Sequence, residues 1–130
     1  MRALFLWTAR MRKRVVILLA GAAVMLPALA LAQTKTFSGR AAYYDKNYKG
    51  KTASGQIYDS AKFTAAHKTL PFGTRLRVTD TRTGRSVVVV VNDRGPFTPG
   101  RVIDLSLAAA TSIGMIARGV IPVNVEHITE

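Results

Sequence analysis

Polar and apolar residues change their spacing several times along this chain, and each change marks an element. From Val15 to Ala32 the sequence is apolar and broken only by Pro27, following the basic residues Arg2, Arg10, Arg12, Lys13 and Arg14. A positive stretch, an apolar stretch and the small-x-small sequences Ala28-Leu29-Ala30 and Ala30-Leu31-Ala32 form the pattern of a cleaved export signal over residues 1–32. If retained, an apolar run of about 20 residues is long enough to anchor the chain in a bilayer. Met11 opens a tidier version of the same signal, MRKR before the apolar run, so a start at residue 11 is an alternative.

Beyond residue 32 the periods shorten. Phe37 to Tyr44 reads as a first strand, and Asp45 to Ala61, rich in Gly, Lys, Thr and Ser, reads as loop. Thr74 to Thr79 alternates, with Leu76 and Val78 on one face and Arg75, Arg77 and Thr79 on the other, as a half-buried strand does. DTRTGR follows as a turn, with Gly84 free to take positive φ. Ser86 to Val91 holds five successive valines, a pattern that predicts a strand buried on both faces and therefore a covering element. SLAAATSIGM supplies that cover as a short helix: Ser106 is the N-cap, Leu107, Ala110 and Ile113 recur at helical spacing, and Gly114 ends it. Gly119 to Ile128 returns as a last strand, with Val123 and Val125 alternating. Mostly strands and one short helix favour a small closed barrel over an open sheet with bare edges.

Length confines residues 33–130 to one small domain. The chain has no cysteine, so the fold rests on its apolar core, and no thiol is a nucleophile, a metal ligand or a lipid attachment site. The formal net charge is +12; with five of the nineteen basic residues inside 1–32, the remaining fourteen against seven acids leave +7. Behind an export signal that excess points to an anionic envelope polymer or membrane surface and not to nucleic acid. A basic but uncommitted surface is the plain alternative. The two histidines lie far apart and no Gly-rich phosphate loop joins a strand to a helix, so neither a metal nor a nucleotide cofactor is expected.

Three stretches carry candidate chemistry: TASGQIYD with TAAHKTLPFGT, VVNDRGPFTPGR, and RVIDLS before the alanine-rich helix. In this order and spacing they closely resemble the barrel domain of the rare lipoprotein A family, over Gly39 to Glu126. The resemblance implies a mainly β fold, a six-stranded double-psi β-barrel with one short covering helix. It also implies lytic transglycosylase activity on peptidoglycan, cleaving between N-acetylmuramic acid and N-acetylglucosamine in strands poor in stem peptides and leaving a 1,6-anhydromuramyl end. The expected partner is the glycan strand, and the expected form is an exported monomer, at the membrane only if the signal is retained. The family's lipidated cysteine has no counterpart here, so no lipid anchor is expected, and the separate peptidoglycan-binding domain that helps place many relatives at the septum is not seen beside the barrel, so septal placement is not expected either.

That reaction needs a proton donor for the glycosidic oxygen, stabilisation of an oxocarbenium-like charge, and a base for the attacking C6 hydroxyl. The nucleophile belongs to the sugar, so one carboxyl group serving as acid and then base suffices. Asp93, at the end of the valine strand, and Asp104, in RVIDLS, are the candidates. Their plain alternatives are an Asx turn or a pair with Arg94 for Asp93, and helix capping near Ser106 for Asp104. Asp80, in the turn, is expected to be solvated. The resemblance makes His67 an active-site residue, able to move a proton or hold a carboxylate in place. Asn92, Arg94, Tyr44 and Tyr58 are expected to bind substrate, and Tyr43, Tyr44, Tyr48 and Tyr58 to gather around the groove loop, where ring faces can stack on sugars.

Gln56 departs from the resemblance, since the family usually carries glutamate there. An amide hydrogen-bonds a sugar but does not titrate. Three readings follow. Asp93 or Asp104 carries the proton while Gln56 orients sugar; or the chain is a glycan-binding, expansin-like barrel that has lost its chemistry; or it binds anionic polymers by charge alone.

Overall fold

The structure, a computed structural model, describes residues 35–129. The expected export signal, residues 1–32, lies outside them. The strands are β1 (Thr36–Tyr43), β2 (Thr64–Ala66), β3 (Arg75–Asp80), β4 (Ser86–Asp93), β5 (Arg101–Leu105) and β6 (Ile121–His127), with helix α1 (Leu107–Ser112) between β5 and β6. They close into one barrel in the order β1-β5-β2-β4-β3-β6. Two pairings, β1 with β5 and β2 with β4, are parallel; the others are antiparallel. The fold is thus the mainly β, six-stranded double-psi barrel with one short helix that the resemblance implied.

Alternation sets the barrel interior. Leu76 and Val78 of β3, Val87, Val89 and Val91 of β4, Ile103 and Leu105 of β5, and Ile121, Val123 and Val125 of β6 all point into one core. Each such side chain removed from water contributes about 1.5–3 kcal/mol, so this shared interior can hold the fold without disulfides. Ser106 caps α1 as expected, its side chain accepting from the Ala109 N–H, and Ala109 and Ala110 join the core.

The valine strand differs from expectation. β4 alternates: Val88 is half-buried and Val90 is 37% exposed. Its outer face is not sealed by the helix, which adds alanines to the interior instead. Asp80 differs too. It is fully buried, accepting from the Arg82 N–H (3.0 Å) and paired with Arg118. Turn composition concealed this because Arg118 lies on a distant segment.

Candidate functional site

The C-terminal end of β4 is where the candidate residues meet. There β2 runs parallel to β4, and a register shift between Ala65 and Ala66 sets Ala66 beside Asp93. Ala66 also pairs with Asp104, so Asp93, Ala66 and Asp104 form a row across three strands. Two strand spacings put the two aspartate backbones about 9–10 Å apart.

The loop from Thr52 to Gln56 folds onto this end. Its turn is closed by Thr52 N–H to Gln56 O (2.7 Å) and Gly55 N–H to Thr52 O (2.9 Å), with Gly55 at φ +90°, where a side chain is strained. Ser54 N–H donates to Asn92 O (3.2 Å), which seats the loop on β4. Ala53 N–H then reaches Asp93 Oδ1 (2.8 Å), which also accepts from Arg94 N–H (2.9 Å). Asp93 Oδ2 accepts from the Tyr44 hydroxyl at 2.5 Å. A carboxylate offers about four lone-pair sites, so three donors fix its plane and leave one direction for a ligand.

Tyr44 is held in turn. Its ring stacks on Tyr58 at 4.4 Å and 12°, and Tyr48 packs against both rings. Burial first, then the hydrogen bond to Asp93 and the charges of Asp93, Asp104 and Tyr48, push the Tyr44 hydroxyl well above its ordinary value of 10.0. It therefore stays protonated and donates to Asp93 at any working pH. The expectation that Tyr58 offers a face to sugar is corrected: the residue is buried, and its hydroxyl accepts from Leu107 N–H (3.0 Å), anchoring the helix start. Tyr43 lies apart from the other three rings, its hydroxyl donating to Ile116 O (2.7 Å).

Gln56 and Asn92 line one groove together. Asn92 Nδ2 donates to Gln56 Oε1 (3.3 Å), and the Ser54 hydroxyl lies 3.4 Å from the same oxygen. With Oε1 engaged, the Gln56 amide nitrogen is left for a ligand. The groove has a volume of about 460 Å³ and runs past Ile57, Asp59, Lys62, Thr64 and Val90. A second concavity of about 430 Å³, on the outer faces of β1, β6 and β3, has Glu126 as its one titratable residue, and Glu126 pairs with Arg77 at 3.4 Å. The groove at Gln56 includes Asn92, the chain neighbour of Asp93, whereas the other meets the candidate residues only through Phe37, whose ring packs against His67.

His67 follows β2, and its backbone N–H donates to Asp93 O (3.1 Å). Its ring does not hold the Asp93 carboxylate. Nδ1 accepts from the N–H groups of Thr69 and Leu70 (3.1 Å each), and the ring meets Phe37 edge-on. Burial, then the nearby charges of Arg94 and Lys68, lower its pKa below the ordinary 6.5. The imidazole is therefore neutral, with its proton on Nε2. Arg94 is likewise committed: its guanidinium donates to His67 O (3.2 Å) and Leu70 O (2.8 Å) and lies over the Phe72 ring, so it braces the loop and does not pair with Asp93. Asp104 accepts from Arg101 (2.8 Å), an ion pair that Asp93 lacks among the described residues; neither aspartate lines the groove itself, which reaches Asp93 through its neighbour Asn92. Among the described residues no three His, Asp or Glu side chains converge to hold a metal.

A pH titration tests the histidine. The unfolded chain protonates near 6.5 and the folded chain only below it, so unfolding takes up a proton in that window and stability falls as pH drops through it. Nitrogen-15 NMR should show the Nε2–H tautomer at pH 7 and a midpoint below 6.5. A midpoint above 6.5 would contradict the neutral acceptor.

Fold and site together define a double-psi barrel protein with an aspartate-centred polar site at the strand ends. Residues 36–125 match the family described as lytic transglycolase, and the chain belongs to it. It is 56% identical over 94 residues to the probable endolytic peptidoglycan transglycosylase RlpA of Nostoc sp., covering 70% of this chain and 25% of that protein. It is 53% identical over 95 residues to the endolytic peptidoglycan transglycosylase RlpA of Vibrio cholerae, covering 72% of this chain and 36% of that one. The chain thus spans about a quarter to a third of the length of these relatives. Among solved structures, the Streptomyces papain inhibitor matches with TM-score 0.61 and 26% identity over 73% of this chain and 96% of its own. An apo expansin from Clavibacter michiganensis matches in fold, with TM-score 0.59 and 24% identity over 74% of this chain and 52% of its own.

Proposed function

We infer that the chain is an endolytic peptidoglycan lytic transglycosylase in which Asp93 carries the proton and Gln56 orients the sugar. The observation that carries this reading is the three-point fixation of the Asp93 carboxylate beside the Gln56–Asn92 groove. In the reaction the bond from muramoyl C1 to O4 of the next sugar breaks, the bond from C1 to O6 forms, and the proton of the C6 hydroxyl ends on O4. One carboxyl group with one open direction serves both proton steps. The neutral His67 and the Gln56 amide are left to donate hydrogen bonds. The basic-then-apolar pattern of residues 1–32 supports action outside the cytoplasmic membrane.

Gln56 favours a second reading, a glycan-binding barrel without turnover. The two are separated by incubating the full chain with sacculi and with strands freed of stem peptides, then measuring 1,6-anhydromuramyl products by mass spectrometry. Native protein should release them. Gln56→Glu should release them up to about 10²-fold faster, the lower end of general acid catalysis. The replacement fits, because Asn92 Nδ2 and the Ser54 hydroxyl can both donate to a carboxylate oxygen where Oε1 now lies. Products from the glutamate variant alone would establish the second reading.

A further inference from the structure

The groove extends beyond the residues that the chemistry uses. Its lining includes Ile57, 72% exposed, and Val90, 37% exposed. Two exposed aliphatic side chains lining one cleft, one from the loop and one from β4, are a surface suited to an apolar ligand face. The loop is built, not loose: an isolated bridge joins Lys51 to Ile57, Tyr58 N–H donates to Gly50 O (3.0 Å), and Ala108 N–H donates to Ser60 O (2.9 Å).

One cation lines this groove, Lys62. Among the described residues its ammonium forms no ion pair, not even with Asp59, whose Oδ1 accepts from Ala61 N–H (2.9 Å) and whose carbonyl accepts from Lys62 N–H (3.2 Å). The turn thus fixes where the lysine stem starts and leaves its charge for a ligand. On an unsubstituted peptidoglycan strand the one anionic group is the lactyl carboxylate of each muramoyl residue. A stem peptide converts that carboxylate to a neutral amide.

We propose that this groove is a muramoyl subsite, in which Ile57 and Val90 take the apolar face and acetamido methyl of the sugar and Lys62 pairs with its free lactyl carboxylate. Lys62 is then the residue that discriminates unsubstituted from peptide-bearing strands. The proposal rests on the glycan reading above and adds the side of the site, the group recognised and the residue that recognises it. Continuity supports it, since Asn92 of the groove directly precedes Asp93, and the loop that ends at Gln56 donates Ala53 N–H to the Asp93 carboxylate.

The test measures binding and does not depend on turnover. Glycan strands freed of stem peptides are compared with the same strands after their carboxylates are converted to methylamides, using the full chain. Native protein should bind the free-carboxylate strand about two- to fivefold more tightly, the upper range for an ion pair at an exposed lysine such as Lys62, and the ratio should shrink as salt rises. Lys62→Arg should keep the ratio. Lys62→Glu should abolish or invert it while leaving affinity for the methylamide strand within about twofold, and Lys46→Glu, the same change of net charge outside the groove, should not. Equal loss in both glutamate variants, or a ratio untouched by Lys62→Glu, overturns the subsite while leaving the glycan reading standing. Binding to neither strand overturns both. A preserved ratio without cleavage supports the subsite and counts against catalysis.

Discussion

Asp93→Asn is expected to lower the release of 1,6-anhydromuramyl ends by about 10²–10⁴-fold, the usual contribution of a general acid–base group, while leaving the fold intact. The separation of the two effects follows from the hydrogen bonds. Oδ1, which accepts from Ala53 N–H and Arg94 N–H, has the same counterpart in asparagine. The amide nitrogen would take the place of Oδ2, and the Tyr44 hydroxyl, able to accept as well as donate, can turn to receive it. All three contacts survive, and what disappears is the capacity to take up and release a proton. Unfolding midpoints should therefore match the native protein closely, and strand affinity should change by less than a few-fold.

Asp104→Asn is the informative control. Asp104 lies one strand beyond Ala66, so its charge reaches Tyr44, but its carboxylate is already paired with the Arg101 guanidinium, whereas Asp93 is held by neutral donors from the Thr52–Gln56 loop, Tyr44 and its own strand end. Its replacement should reduce turnover far less than the change at Asp93. The reverse order, with Asp104→Asn inactive and Asp93→Asn active, would transfer the acid–base role to Asp104 and overturn the assignment.

How much of this was legible depends on the range of the interaction concerned. The alternation at Leu76 and Val78 and at Val123 and Val125, and the Ser106 cap, are set by neighbours a few residues away, and each was readable directly. β2, with the three residues TAA, and the short β5 are too brief to show a period and become strands only through pairing with distant segments. Closure of the barrel rests on those pairings, so its topology was available through resemblance and not through pattern. The valine run misled for a reason tied to the site. A β-branched run suggests two covered faces, yet Val90 faces the groove and stays open. Of the candidate residues, the proximity of Asp93, Asn92 and Gln56 could be anticipated from the motifs. That Tyr58 supports Tyr44, and that Arg94 braces a loop through backbone carbonyls, follows from long-range packing, because no spacing distinguishes a residue that contacts ligand from one beneath it.

The largest effect on stability is expected away from the site, at Arg118. Asp80 is completely buried at the end of β3 and its carboxylate has two partners, the Arg82 N–H and the Arg118 guanidinium. Its backbone also closes the turn into β4, with Asp80 N–H to Arg85 O (2.9 Å) and Gly84 N–H to Asp80 O (2.8 Å), and Gly84 at φ +76°. Arg118→Met keeps most of the aliphatic stem but strands a buried carboxylate with one hydrogen bond. Breaking a buried pair from one side typically costs about 3–5 kcal/mol, because the remaining charge keeps its desolvation penalty. Removing Asp80 should cost less, since Arg118 is partly exposed and can turn to water. Burial disfavours the charged form, so the stranded carboxyl takes up a proton as pH falls, and the deficit of Arg118→Met should be largest near pH 7 and narrow toward pH 5. Adding Asp80→Asn to Arg118→Met removes the charge and should recover much of the loss at pH 7. Urea unfolding of the four proteins at both pH values measures all of this. A pH-independent loss below about 1 kcal/mol would mean that water already reaches Asp80 and that the pair does not hold the β3–β4 turn to the segment after α1.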